Sequence, residues 1–377
     1  MLFFKRSGKN MVFQATKRFV SVDVLRGFDM FWIVGGAEFA QALAALLGQT
    51  VHHPVAVQME HVSWDGFHFM DLIFPLFVFM AGMSTVFSLD KLLETKGKAA
   101  AWKRLLKRSI LLYLCGLFYY NGMADGVDSI RYVGVLQRIA ISSLFAGIGY
   151  IYCGKRGLLT ILGAILAGYY ILLAFVPIPG ETEIFFTVEK NWAVWIDKHY
   201  LFGHRWNGDW DPEGLLSSIP AIASCLLGVL AGMMMKDKTL TDIRRLKHFV
   251  VWGIGCLVVG YVWSFHFPII KVLWTSSFVL WAAGWSFMLL ALFYWLTDIK
   301  GWQKWANPFV WIGTNSITIY MVVSIVDFHG LANRLVGEDI ATLIGETGTV
   351  FVSNTIQMLM VLLFVRFLYN RKIFLRL

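Results

Sequence analysis

The sequence predicts an all-α polytopic membrane protein with about ten transmembrane helices and both termini in the cytoplasm. Three observations predict it. The 377 residues are 58% hydrophobic and only 15% charged, where an ordinary soluble domain carries about 25% charged residues. Apolar runs of roughly 20 residues, the length that crosses a bilayer as a helix, recur along the whole chain. The basic residues then sort by side: with the N-terminus inside, 25 of the 33 Lys and Arg fall in the cytoplasmic segments and six in the outer ones, Arg131, Lys190, Lys198, Arg205, Lys271 and Arg334. Such an asymmetry is what orients membrane proteins. It also gives the net charge of +9 a topological use and removes the need for a nucleic-acid partner.

Taken in order, a basic N-terminus (1–18) precedes a first helix over 19–47. That run carries Asp23, Arg26 and Asp29 and lacks a small-residue cleavage site, so no cleavable signal peptide is expected. Helices over 69–89 and 105–120 flank the basic stretch Lys91–Arg108, and helices over 134–153 and 157–176 follow. An outer loop at about 177–213, rich in aromatic and acidic residues, is long enough to be functional. It closes on "DWDPEGLLSSIPAI", which reads as a helix start with Asp211 as cap and Pro212 in the first turn. The remaining helices are expected over 214–235, 248–266, 272–297, 307–328 (opened by Asn307-Pro308) and 348–368, with a cytoplasmic tail at 371–377. Residues 19–370 read as one membrane domain. The four cysteines sit in apolar runs without CxxC spacing and read as packing residues.

Ionisable residues inside such helices are costly and default to functional hypotheses. Arg26 lies three residues from both Asp23 and Asp29 and can pair with either on one face; the cluster is either self-neutralising or an anion site open to the cytoplasm. Arg131 and Arg138 are two turns apart and share a face. Toward the outer side stand Glu38, after Gly35-Gly36, and the stretch "MEHVSWDGFHFMDLIFPLFVFMAG", which runs a polar, aromatic segment with His61, Asp65, His68 and Asp71 straight into a helix. Asp71 serves either the site or the helix start. No pair of histidines at i, i+4 and no other ligand cluster is present, so no metal is expected.

"SVDVLRGFDMFW", "HVSWDGFHFMDLIFPLFVFMAGMS", "RYVGVLQRIA", "DPEGLLSSIPAI" and "GTNSITIYM" stand in the order seen in the heparan-α-glucosaminide N-acetyltransferase family, and the resemblance extends over roughly 18–370. It resembles the bacterial members, which implies the inner membrane. The resemblance implies that His61 is catalytic on the non-cytoplasmic side, that cytosolic acetyl-CoA is the donor, and that a sugar or glycan outside is the acceptor. His61 would act as general base or as acetyl carrier, with Glu38 and Asp71 as its candidate partners. The donor's phosphates would meet Arg26, Arg138 and, as a weaker third, Arg131, with Lys103–Arg108 drawing the donor in. One departure stands out. The family's lysosomal enzyme has an asparagine near the outer end of its first conserved helix, and this chain has only "GGAEF" there, with Glu38 in its place. Expected partners are the acceptor, membrane lipids and, as an open question, a second copy of the chain. A secondary transporter of a sugar or cell-wall precursor is the alternative reading, since intramembrane charges and a glycine-interrupted helix would serve it too.

Overall fold

A computed structural model describes residues 19–48, 53–120, 122, 124 and 126–374, with the backbone alone at 338–340. The basic N-terminus at 1–18 lies outside the described residues. In chain order the elements are α1 (Val20–Phe31), a π-helical turn (Trp32–Gly36), α2 (Ala37–Leu46), α3 (Pro54–Gln58), α4 (Phe69–Tyr119), α5 (Val135–Tyr152), α6 (Lys155–Phe175), α7 (Trp192–Tyr200), α8 (Ser218–Lys236), α9 (Asp242–Ser264), α10 (Ser276–Phe293), α11 (Asn307–Thr314), α12 (Ser316–Ile325) and α13 (Phe328–Asn370). Among the described residues β pairing is limited to two isolated bridges, Asp65 with Ile270 and Arg131 with Gly203. The chain is all-α.

Among the described residues seven helices are long and apolar enough to cross a membrane. They become eight if the segments 304–314 and 316–325, bent by 67° to each other, are one broken span. The expected ten differ from this in two places. The helix expected over 19–47 is cut by the π turn into α1 and α2, each short of a full span. The helices expected over 69–89 and 105–120 both belong to α4, which is broken at Gly97 with φ 77°. That left-handed backbone favours glycine. The break reverses the chain: Arg104 Nε lies 2.8 Å from Ser88 Oγ and Arg108 donates to Thr85 Oγ1 at 3.2 Å. Sixteen residues of straight helix would hold the first pair about 24 Å apart, so α4 is a hairpin of two antiparallel limbs.

Burial orders the bundle. The most apolar windows of α4 and α8 are 78% buried, against 28% for α6 and 22% for α9. So the first limb of α4 and α8 form the centre, while α6 and α9 turn apolar faces outward (in α9 Val251, Ile254, Val258 and Val262), where a bilayer would cover them. The central contact depends on small residues. A Cβ added at Gly82 would strike the Cys225 carbonyl oxygen, and one at Gly228 the Phe79 carbonyl oxygen. Close backbone approach of this kind is how helices pack tightly within lipid. Cys225 and Cys256 are buried within the apolar core.

The start expected at Asp211-Pro212 is corrected: α8 begins at Ser218, after a series of turns. The Asp211 carboxylate is occupied elsewhere, by the Glu213 N–H at 2.9 Å and by Arg131. At the other expected start, Pro308 does lie in the first turn of α11.

Candidate active site

His61 meets its partners through the local fold of the segment that leads into α4. His68 is the N-cap residue of this helix and Asp71 its third residue. One Asp71 oxygen accepts the backbone N–H groups of His68 (3.0 Å) and Val62 (3.2 Å). The other lies 2.8 Å from His61 Nδ1. A carboxylate already accepting two N–H groups makes Nδ1 the donor, which leaves the Nε2 lone pair free. Asp71 is buried, while more than half of the His61 side chain is exposed. The carboxylate is therefore anchored and the imidazole ring is accessible.

A second long-range contact completes the cluster. The 59–68 segment pairs with the connection between α9 and α10, through the Asp65–Ile270 bridge and the Gly66 N–H to Ile269 carbonyl bond at 3.0 Å. The next residue, Lys271, places Nζ 2.9 Å from His61 Nδ1, 3.4 Å from Nε2 and 3.2 Å from Asp71 Oδ1. Lys271 lies outside the membrane-spanning segments, and burial pushes its ammonium below the ordinary lysine value against the pull of Asp71.

These groups open on a cavity of about 310 Å³, lined by His61, Lys271, Glu38, Glu213, Tyr119 and Tyr320 among others. A second cavity of about 500 Å³ lies toward the Gly97 end of the α4 hairpin. Its polar lining is Asp23 and Arg26 from α1, Ser84 and Ser88 from one limb, Arg104 and Arg108 from the other, and Thr314 and Ser316 at the joint of α11 and α12. Arg26 donates to Ser84 Oγ at 2.7 Å and stands 3.9 Å from Asp23. The two cavities share Phe77, Ile139 and Ile317 in their walls, so they abut end to end along the first limb of α4.

The residues singled out in the sequence separate into groups. His61 and Asp71 are brought together. Glu38 lines the same cavity but is exposed, and the described hydrogen bonds of His61 run to Asp71 and Lys271 instead. Arg26 lines the larger cavity. Arg131 and Arg138 line neither. Arg131 is buried in a two-point pair with Asp211 (2.8 and 2.6 Å) and also holds Glu213 at 2.6 Å. Those carboxylates raise its pKa further above the ordinary arginine value, against the opposing effect of burial. Arg138 is fully buried, donates to the Pro212 carbonyl and Ser217 Oγ, and lies over the Trp274 ring. Both arginines grip the turns at 211–217, which deliver Glu213 to the histidine cavity. Lys271 was counted in the sequence only as an outer-side charge; its role depends on a pairing of segments 200 residues apart that no local pattern announces.

Residues 18–262 match the family model described as "Heparan-alpha-glucosaminide N-acetyltransferase, catalytic". The chain belongs to this family. It is similar to the heparan-alpha-glucosaminide N-acetyltransferases of Homo sapiens and Mus musculus, at 27% identity over 323 and 327 residues, 70% of this chain in each case. The chain spans about half the length of these relatives, 48% of each being covered. The match to the family model takes in His61, Asp71 and the arginines of both groups. Lys271 lies beyond its end. Among the described residues no three His, Cys, Asp or Glu side chains gather as a metal site would require.

Proposed function

We propose that this chain is a transmembrane acetyltransferase that takes the acetyl group of cytoplasmic acetyl-CoA and transfers it to an amine or hydroxyl of a sugar on the outer side. One observation carries the reading: a cavity with three arginines abuts, across three apolar side chains, a cavity with a carboxylate-oriented histidine. Membership of an N-acetyltransferase family supports the class of reaction.

Coenzyme A is polyanionic at one end and carries its thioester at the other. Arg26, Arg104 and Arg108 suit the phosphates, because a guanidinium stays charged and presents a fork of donors in a partly dry setting. The thioester end must then pass Phe77, Ile139 and Ile317 to reach His61. There the free Nε2 takes the proton of the attacking amine or hydroxyl, and Asp71 holds the ring and the imidazolium that forms. The same Nε2 lone pair suits attack on the thioester carbon to give an acetyl-histidine, so this geometry serves both the direct route and the acetyl-carrier route.

The test is single-turnover acetylation with labelled acetyl-CoA and a panel of aminosugars and muropeptides, at matched donor occupancy. His61→Ala is expected to bind the donor normally and to lose transfer by on the order of a hundredfold or more. Equal rates in the two proteins, or a transfer-competent donor bound from the outer side, would sink the reading. Transport of an unmodified sugar by reconstituted protein would favour the transporter instead.

A further inference from the structure

One charge in that reaction has no partner among the groups assigned so far. When the thioester carbonyl is attacked, its oxygen takes on negative charge, and a donor fixed in place for that charge is commonly the largest single contribution to rate. His61 does not supply it: Nδ1–H points at Asp71 and Nε2 accepts a proton. Glu38 and Glu213, in the same cavity, would repel it. Tyr119 and Tyr320 stack on each other at 4.6 Å and bring no positive charge.

Lys271 is the one cation among the described residues lining the histidine cavity. Its position relative to the imidazole matters. Nζ lies within 3.4 Å of both ring nitrogens. A donor in the ring plane on one nitrogen would stand far from the other, so the ammonium is over the face of the ring. It therefore leaves the Nδ1–H to Asp71 bond intact and stands beside Nε2, where the nucleophile and the thioester carbon must meet. The Asp71 contact at 3.2 Å and the half-buried stem hold it there.

We propose that Lys271 is the electrophilic residue of the transfer, donating from its ammonium to the thioester carbonyl oxygen; this rests on the function proposed above. The acceptor nitrogen or oxygen bonds to the carbonyl carbon and gives its proton to His61 Nε2. The carbonyl π pair moves onto the oxygen held by Lys271. The tetrahedral species then re-forms the C=O bond, the C–S bond breaks with its electron pair on sulfur, and the leaving thiolate takes the proton from His61.

The experiment compares wild type, Lys271→Met and Lys271→Arg in full-length protein, with acetyl-CoA affinity measured separately and the acceptor that wild type uses best. Lys271→Met is expected to keep donor affinity within about threefold and lose kcat by on the order of 10²–10³. Lys271→Arg is expected to recover part of that loss, and its pH–rate profile should lack the alkaline limb that deprotonation of lysine gives wild type. A purely structural lysine would not move that limb. Lys271→Gln, with donor binding as the check on folding, replaces the Met variant if that one fails to fold. A Lys271→Met or Lys271→Gln enzyme within threefold of wild-type kcat overturns the role of the lysine alone, and so does a loss confined to donor affinity. A wild type that binds acetyl-CoA and acetylates nothing overturns the function itself and this inference with it.

Discussion

His61 Nδ1 and Asp71 Oδ1 lie 2.8 Å apart, and the same carboxylate holds the start of α4 with its other oxygen. Asp71→Asn separates the two tasks. The amide oxygen can keep accepting backbone N–H groups, but the amide nitrogen then faces Nδ1 and selects the tautomer with hydrogen on Nε2. That tautomer cannot accept a proton at the working nitrogen. The expected outcome is a folded protein with normal donor affinity and kcat lower by on the order of 10²–10⁴-fold. A variant as fast as wild type would leave Asp71 as a helix cap only.

The arginines should divide by location. Arg104→Gln and Arg108→Gln, on the cavity wall, are expected to weaken acetyl-CoA binding by roughly tenfold or more each, the effect of one charged hydrogen bond. Arg26→Gln should do the same. Arg131→Ala instead leaves two carboxylates at the membrane edge without their cation, a defect of about 3–5 kcal/mol in stability, with donor affinity of the folded fraction unchanged. Isothermal titration beside thermal unfolding checks both. A reversed pattern would put the phosphates near 211–217.

Orientation is tested by thiol labelling in intact cells whose outer membrane has been made permeable, on a background without the four native cysteines. Glu183→Cys should react with a membrane-impermeant reagent and Lys98→Cys should not. The opposite result would turn the histidine cavity inward.

Asp197, in α7 outside the membrane helices, gives a pH signature. Burial raises its pKa to about 6, against the N–H groups of Leu215 and Asp211 that favour ionisation. A folded value above the unfolded one means that its contribution is fully present below about pH 4 and is lost as pH rises through about 6. The change is up to about 3 kcal/mol. Chemical unfolding measured against pH should show stability falling over that window, and Asp197→Asn should flatten it. An unchanged slope in the variant would assign the effect to another group.

The fold was legible where one physical constraint dominates. Apolar length located most helices, because lipid leaves few alternatives for a backbone. The exceptions are specific: a glycine-rich turn shortened the first helix, and the turn at Gly97 lies inside a stretch that continues helical on both sides. His61 stood out because its motif is local. Asp71 was ambiguous because a carboxylate at the third position of a helix can hold the helix start or a neighbouring side chain, and here it makes both contacts. Arg131 and Arg138 drew attention as charges near the membrane, yet their partners at 211–217 lie more than 70 residues away. Glu38 lines the same cavity, while the described contacts of His61 run to Asp71 and to Lys271, whose approach only the folded loop determines.

The shared wall of Phe77, Ile139 and Ile317 has a consequence for the cell as well as for the reaction. Two water-accessible hollows at opposite ends of one helical limb come within a few side chains of forming a continuous aqueous pore, and a pore there would dissipate the ion gradient that the membrane maintains. Three apolar side chains offer protons and hydrated ions no ligands, so the shared wall insulates one hollow from the other. Trimming it, as in Phe77→Ala, should appear first as a proton conductance in liposomes carrying the protein, before any change in how fast acetyl groups move.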